Sequence, residues 1–87
     1  ALDLAVAAAI LSSNEDVAIP KDVCFAAEIG LSGEIRTVPK LDQRIQEAEK
    51  LGFKQLFMAK SAKLSVQPKQ LKLIPVAQIE DVVNALF

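Results

Sequence analysis

"AEIGLSGEIRTVPKLDQRIQEAEKLGF", residues 27–53, decides how this chain folds. Its first residues end an apolar, β-preferring run, "VCFAAEI" (23–29), which reads as a strand. "GLSG" (30–33) holds Gly30 and Gly33 and suits a tight turn with positive φ. "EIRTV" (34–38) alternates polar and apolar residues, the period of a half-buried strand. The two strands are expected to form a β-hairpin. Pro39 then suits the first turn of a helix, and Leu41, Ile45 and Ala48 recur at helical spacing on one stripe. Asp42 near its start and Lys50 near its end complement the helix dipole, and Gly52 is placed to cap it.

Outward from this stretch the pattern continues. "FKQLFMA" (53–59) reads as a strand, so strand, helix and strand make a βαβ unit, expected to be right-handed. "KSAKLSVQPKQ" (60–70) is a polar, lysine-bearing loop. "LKLIPV" (71–76) is a short strand whose Pro75 argues for an edge position. "QIEDVVNALF" (78–87) closes with a helix whose apolar stripe is Ile79, Val82, Val83 and Leu86. Upstream, residues 2–13 are rich in alanine and leucine and read as a helix that "SSNED" (12–16) ends. That helix is apolar on nearly every side and should be covered on most of its surface. The expected order is α-β-β-α-β-β-α, an α+β fold built as a two-layer sandwich. The demand of the first helix for partners implies that strands preceding Ala1 in a parent protein are missing here.

Eighty-seven residues make one small domain or a piece of one. The start at Ala1 favours a piece of a longer protein. Ten basic and eleven acidic residues give a net charge of −1, which offers no general attraction to nucleic acid or to an anionic membrane. "LAVAAAIL" (4–11) is too short to cross a bilayer, which takes about 20 residues. No basic region precedes it, so a secretory signal is not indicated. The lone Cys24 rules out an internal disulfide and reads as an inert buried thiol. These features together favour the cytoplasm.

The chemistry available is narrow. The absence of histidine removes Ser-His-Asp and Cys-His catalysis and the usual zinc ligands. A Ser-Lys dyad stays open in principle, since it needs a serine hydroxyl beside a lysine of lowered pKa. The candidate serines are Ser12, Ser13, Ser32, Ser61 and Ser65, and the candidate lysines include Lys21, Lys40 and Lys50. The serines fall at helix ends, turns and loops, where hydroxyls commonly satisfy backbone groups, and the lysines read as solvated. Glu28 and Glu34 flank the glycine turn, either as a carboxylate pair or as anchors of the hairpin to Arg36. Arg36, Lys40, Arg44, Lys50 and Lys54 could contact a phosphate backbone or form a solvated face. Lys60, Lys63, Lys69 and Lys72 are a weaker basic cluster. Without tyrosine or tryptophan, a base-stacking platform is poorly supplied.

"DLAVAAAILSS" (3–13) and "DVCFAAEIGLSGEIRTVPKLDQRIQEAEKLGFK" (22–54) resemble the C-terminal domain of the bacterial DNA-repair ATPase RadA, also called Sms. That domain is itself similar to the proteolytic domain of Lon protease, a ribosomal-protein-like fold. The most specific part is the pattern GE-hydrophobic-G-L-x-G-E-[IV]-R-x-V, with Ala27 where the family usually has glycine. The resemblance implies that residues 1–87 are a single Lon-protease-like domain fragment from the C-terminal part of a longer ATPase. It places Ala1 where Lon-like proteases carry the nucleophilic serine, and Asp42 and Arg44, in "PKLDQR" (39–44), at the positions of their lysines. A methyl group cannot attack, and a guanidinium stays protonated and cannot serve as general base. The implied role is a non-catalytic scaffold or oligomerisation domain, possibly DNA-binding, in homologous recombination and branched-DNA processing. A residual Ser-Lys peptidase is the alternative. From the basic residues themselves, the candidate DNA contacts are Arg36, Lys40, Arg44 and Lys54. The implied partners are further copies in a ring and DNA, single-stranded or branched, with no membrane. No cofactor is expected in these residues, while ATP, Mg and zinc are expected for the parent protein.

Overall fold

The computed structural model describes residues 2–87. The elements run β1 (Leu2–Asp3), α1 (Leu4–Glu15), β2 (Val23–Ala26), β3 (Glu28–Ile29), β4 (Ile35–Arg36), α2 (Leu41–Lys50), β5 (Gln55–Ala59), β6 (Lys72–Val76) and α3 (Ile79–Leu86). The fold is α+β, as expected, with three helices and two small sheets. The order gains two strands over the expected one, and the hairpin explains one of them. Only Glu28–Ile29 pairs antiparallel with Ile35–Arg36. Residues 23–26 instead join a parallel sheet ordered β2-β5-β6. The run leaves one sheet and enters the other at Ala27, whose carbonyl accepts a hydrogen bond from the Leu4 N–H at 3.0 Å. That bond extends the pairing of β1 with β3, the second added strand.

The parallel sheet is covered on both faces, which corrects the two-layer expectation. Successive side chains of a strand point to opposite faces. Val23, Phe57, Ala59 and Val76 pack with Leu4 of α1 and Val82 of α3. Ala26, Leu56, Met58 and Leu71 pack with Leu41, Ile45 and Ala48 of α2. This is why "QLFMA" (55–59) is apolar without alternation: parallel strands bury both sides. Phe57 is fully buried and stacks on Phe25 of β2 with ring centroids 5.4 Å apart. Burying a side chain of that size contributes about 1.5–3 kcal/mol.

The helix ends follow local chemistry. Asp3, not an earlier residue, starts α1, because its carboxylate accepts the N–H groups of Ala5 and Val6. Asp16 ends it in the left-handed region at φ 54°, with the Val17 N–H returning to the Ser12 carbonyl. The predicted stripe of α2 is the buried one, and Gly52 caps it at φ 88° as expected. The N–H groups of Gly52 and Phe53 bond back to Glu49 and Ala48, a Schellman closure that needs positive φ at Gly52. Pro39 lies outside the helix, two residues before its first residue Leu41: Lys40 is the N-cap of α2, in a left-handed conformation without a side-chain cap. The expectation that α1 is covered on most sides fails. Leu4, Ala7 and Ala8 are buried, but Val6 is 49% and Ile10 51% exposed.

Candidate functional site

The glycine turn is held from within. Gly33 takes φ 81°, the positive φ the turn requires. Gly30 is needed for space instead: a Cβ there would fall 2.0 Å from a Glu34 carboxylate oxygen. That carboxylate accepts the Ser32 N–H at 3.0 Å and pairs with Arg36 at 2.7 Å. Its own backbone N–H, then the Arg36 side chain, holds Glu34 below the ordinary glutamate range. Glu28 lies opposite Arg36 in the strand register. Glu34 therefore anchors the hairpin to Arg36, the second of the two roles open to it. The Ile35 N–H donates to Ala77 and the Ile79 N–H to Gly33, which ties this turn to the start of α3. There the Asp81 carboxylate accepts the N–H groups of Ala77 and then Gln78, and these hold it below its usual range.

The start of α2 combines a clasp with a groove. Asp42, at the position the resemblance assigns to a lysine, accepts the Ser65 N–H at 3.2 Å. At the next-to-last residue of the helix, Glu49 accepts the N–H groups of Gln70 at 2.7 Å and Leu71 at 3.3 Å, and these hold its carboxyl below the usual range. Two acids of one helix thus fix the middle of the 60–71 connection, at Ser65, and its far end, at Gln70 and Leu71. That loop is less polar in effect than its sequence suggests, since Ala62, Leu64 and Val66 pack on the α2 core. Beside the same helix lies an open groove of about 500 Å³, lined by Cys24, Phe25, Leu51 and Phe53 with Lys40 and Arg44 among the polar residues. Cys24 is half-buried rather than fully buried, and burial raises its thiol pKa. Its Sγ donates to the Gln55 carbonyl.

Of the predicted DNA contacts, Lys40 and Arg44 are brought together, because residues four apart share a helix face. Both are exposed. Arg36 is engaged with Glu34 on the small sheet, and Lys54 is exposed just before β5; neither lines the groove. Lys63 lines a smaller hollow with Lys40 and Asp42, while Lys60, Lys69 and Lys72 are exposed. The candidate dyad residues do not converge among the described residues. Lys21, Lys40 and Lys50 are exposed, and the Ser12 hydroxyl donates to the Val17 carbonyl. Ser13, Ser32, Ser61 and Ser65 are exposed. Ala1 lies outside the described residues. Sequence reasoning missed the clasp and the groove. The carboxylates of Asp42 and Glu49, spaced seven apart on one helix, were the available signal for the clasp.

Residues 1–62 match the family model described as subunit ChlI of Mg-chelatase. The chain belongs to that family. This ChlI-family chain is also 43% identical over its whole length to the DNA repair protein RadA of Streptococcus pneumoniae. It is 41% identical over its whole length to RadA of Aquifex aeolicus, and 44% identical over 91% of its length to RadA of Listeria monocytogenes. The likeness to RadA, expected over essentially the whole chain and densest in the hairpin and α2, is found over its full length. The chain spans about a fifth of the length of these relatives, 21%, 19% and 18% respectively. Among its described residues, no helix is long and apolar enough to cross a membrane.

Proposed function

We propose that these residues are a non-catalytic interaction domain of a cytoplasmic DNA repair protein, acting in recombination and the processing of branched DNA. In this reading the domain has a Lon-like frame at the C-terminal part of a longer ATPase. It lends contacts between subunits of a ring and presents Lys40 and Arg44 to DNA, with Arg36 and Lys54 flanking. ATP, Mg and zinc would serve other parts of the parent protein. The observation that carries the reading is Asp42. The residue standing at the lysine position of the protease frame is an acid whose carboxylate fastens a loop at Ser65. The relatives named DNA repair protein RadA support the same direction.

Light scattering and DNA titration on the full-length protein, with and without residues 1–87, test the proposal. Deletion is expected to impair assembly and weaken DNA binding. Normal assembly together with unchanged DNA affinity would refute it. For the DNA contact specifically, Lys40→Glu with Arg44→Glu should weaken binding, and binding by the unsubstituted protein should fall as salt rises. Salt-insensitive binding would contradict contact with phosphates.

A further inference from the structure

The connection from β5 to β6 alternates like a strand, although it pairs with no other strand. Ala62, Leu64 and Val66 pack on the α2 core, while Lys63 and Ser65 between them are exposed. A segment of that period without a ladder needs another anchor. Asp42 of α2 supplies one by accepting the Ser65 N–H at 3.2 Å. Lys63 lies two residues before that bond, between two side chains packed on the helix core. The backbone that carries it is therefore fixed against α2.

Lys40 and Gln43 line two hollows at once. One is the groove of about 500 Å³ that Arg44 also lines, and the other, of about 390 Å³, is lined by Thr37 and Lys63 as well. Lys40 thus stands between Arg44 and Lys63, and the three cations come from two elements joined by the Asp42 bond. None of the three is in a salt bridge among the described residues, whereas Arg36 is paired with Glu34. The acid of the groove is Glu47; the acid of the smaller hollow is Asp42, whose carboxylate is already engaged by Ser65. We propose that Lys63 is a further DNA contact, carrying the row of Arg44 and Lys40 across onto the connection, and that Asp42 is the positioning residue that sets it there. The ligand chemistry is the phosphate backbone, because exposed cations on long stems meet phosphate oxygens without reading bases. This inference rests on the DNA reading proposed above and adds to it a contact and the bond that places it. It also carries an unusual sign: an acid beside cations ordinarily repels DNA, yet here its acceptor oxygen favours binding.

Fluorescence anisotropy of a labelled single-stranded oligonucleotide with the full-length protein tests it. Lys63→Gln should weaken binding about 5-fold and lower the slope of log affinity against log salt by about 0.7, the share of one phosphate contact on a single strand. Lys21→Gln removes the same charge from an exposed site elsewhere and should do neither. Asp42→Ala and Asp42→Asn remove the same negative charge, but only asparagine keeps an oxygen for the Ser65 N–H. The alanine variant should bind at least about 3-fold more weakly than the asparagine variant, and this difference should vanish in a Lys63→Gln background. Equal effects of Lys63→Gln and Lys21→Gln would overturn the inference, and so would equal binding by the two Asp42 variants. The DNA reading beneath it fails by different results: salt-insensitive binding of the unsubstituted protein, or unchanged affinity when Lys40 and Arg44 are both replaced by glutamate.

Discussion

At one margin of the parallel sheet, β6 carries Lys72 and Pro75, both exposed; at the other, β2 reads Val23-Cys24-Phe25-Ala26, with no charge and no proline. The Lys72 N–H donates to Lys54, so alternate residues of β6 face β5 and Pro75 turns away from it. The donor that proline lacks would have pointed to solvent. One margin thus carries the guards of a free edge and the other lacks them. The difference teaches that the two margins of one sheet need not be guarded alike.

The largest expected effect removes the strand between the two margins as a packing platform. Phe57→Ala should cost about 3–5 kcal/mol, measured by chemical denaturation, because Phe57 is fully buried at the centre of the sheet. A loss below about 1 kcal/mol would mean that the margins do not share one core. Next, Gly30→Ala should cost about 1 kcal/mol, since the new Cβ displaces the flexible Glu34 carboxylate and its bonds to Ser32 and Arg36. Adding Glu34→Ala should then make the alanine at position 30 nearly neutral; additive losses would rule out this cause.

Glu49→Gln should act more locally, on the connection that leads into β6. Limited proteolysis within residues 60–70 is expected to speed up by about 5-fold, with the global transition little changed. A pH series sharpens the test. The folded-state pKa of Glu49 is depressed, so its stabilising contribution is present above its ordinary value and fades as pH falls below about 4.5. Glu49→Gln should flatten that acid dependence of loop protection. An unchanged profile would show that the carboxylate is not the clasp. The smallest effect belongs to the guarded margin: Pro75→Val should change stability by no more than about 0.5 kcal/mol but increase aggregation, measured by turbidity at rising concentration.

The fold was legible where periodicity and end signals agreed. Leu41, Ile45 and Ala48 marked the buried stripe of α2, Gly52 its cap, and Pro75 the edge strand. The hairpin was only half legible. "VCFAAEI" is one apolar run, and nothing in its composition marks Ala27 as the point where it changes sheets; that is set by the Leu4 bond, distant in sequence. Helices on both faces of the sheet were hidden for the same reason, because uniform apolarity does not say what covers it. The site was legible as residue types and not as geometry. Lys40 and Arg44 share a face by helical spacing, whereas the engagement of Arg36 by Glu34 depends on a turn closed around Gly30. The Asp42 bond to Ser65 spans 23 residues and leaves no local trace.

The central claim is that this frame binds and does not cut. Its most direct test is incubation of the full-length protein with an unfolded protein substrate, followed by mass spectrometry of the products. The account predicts an intact substrate. Cleavage that disappears when Ser12, Ser13, Ser32, Ser61 or Ser65 alone is replaced by alanine would contradict it.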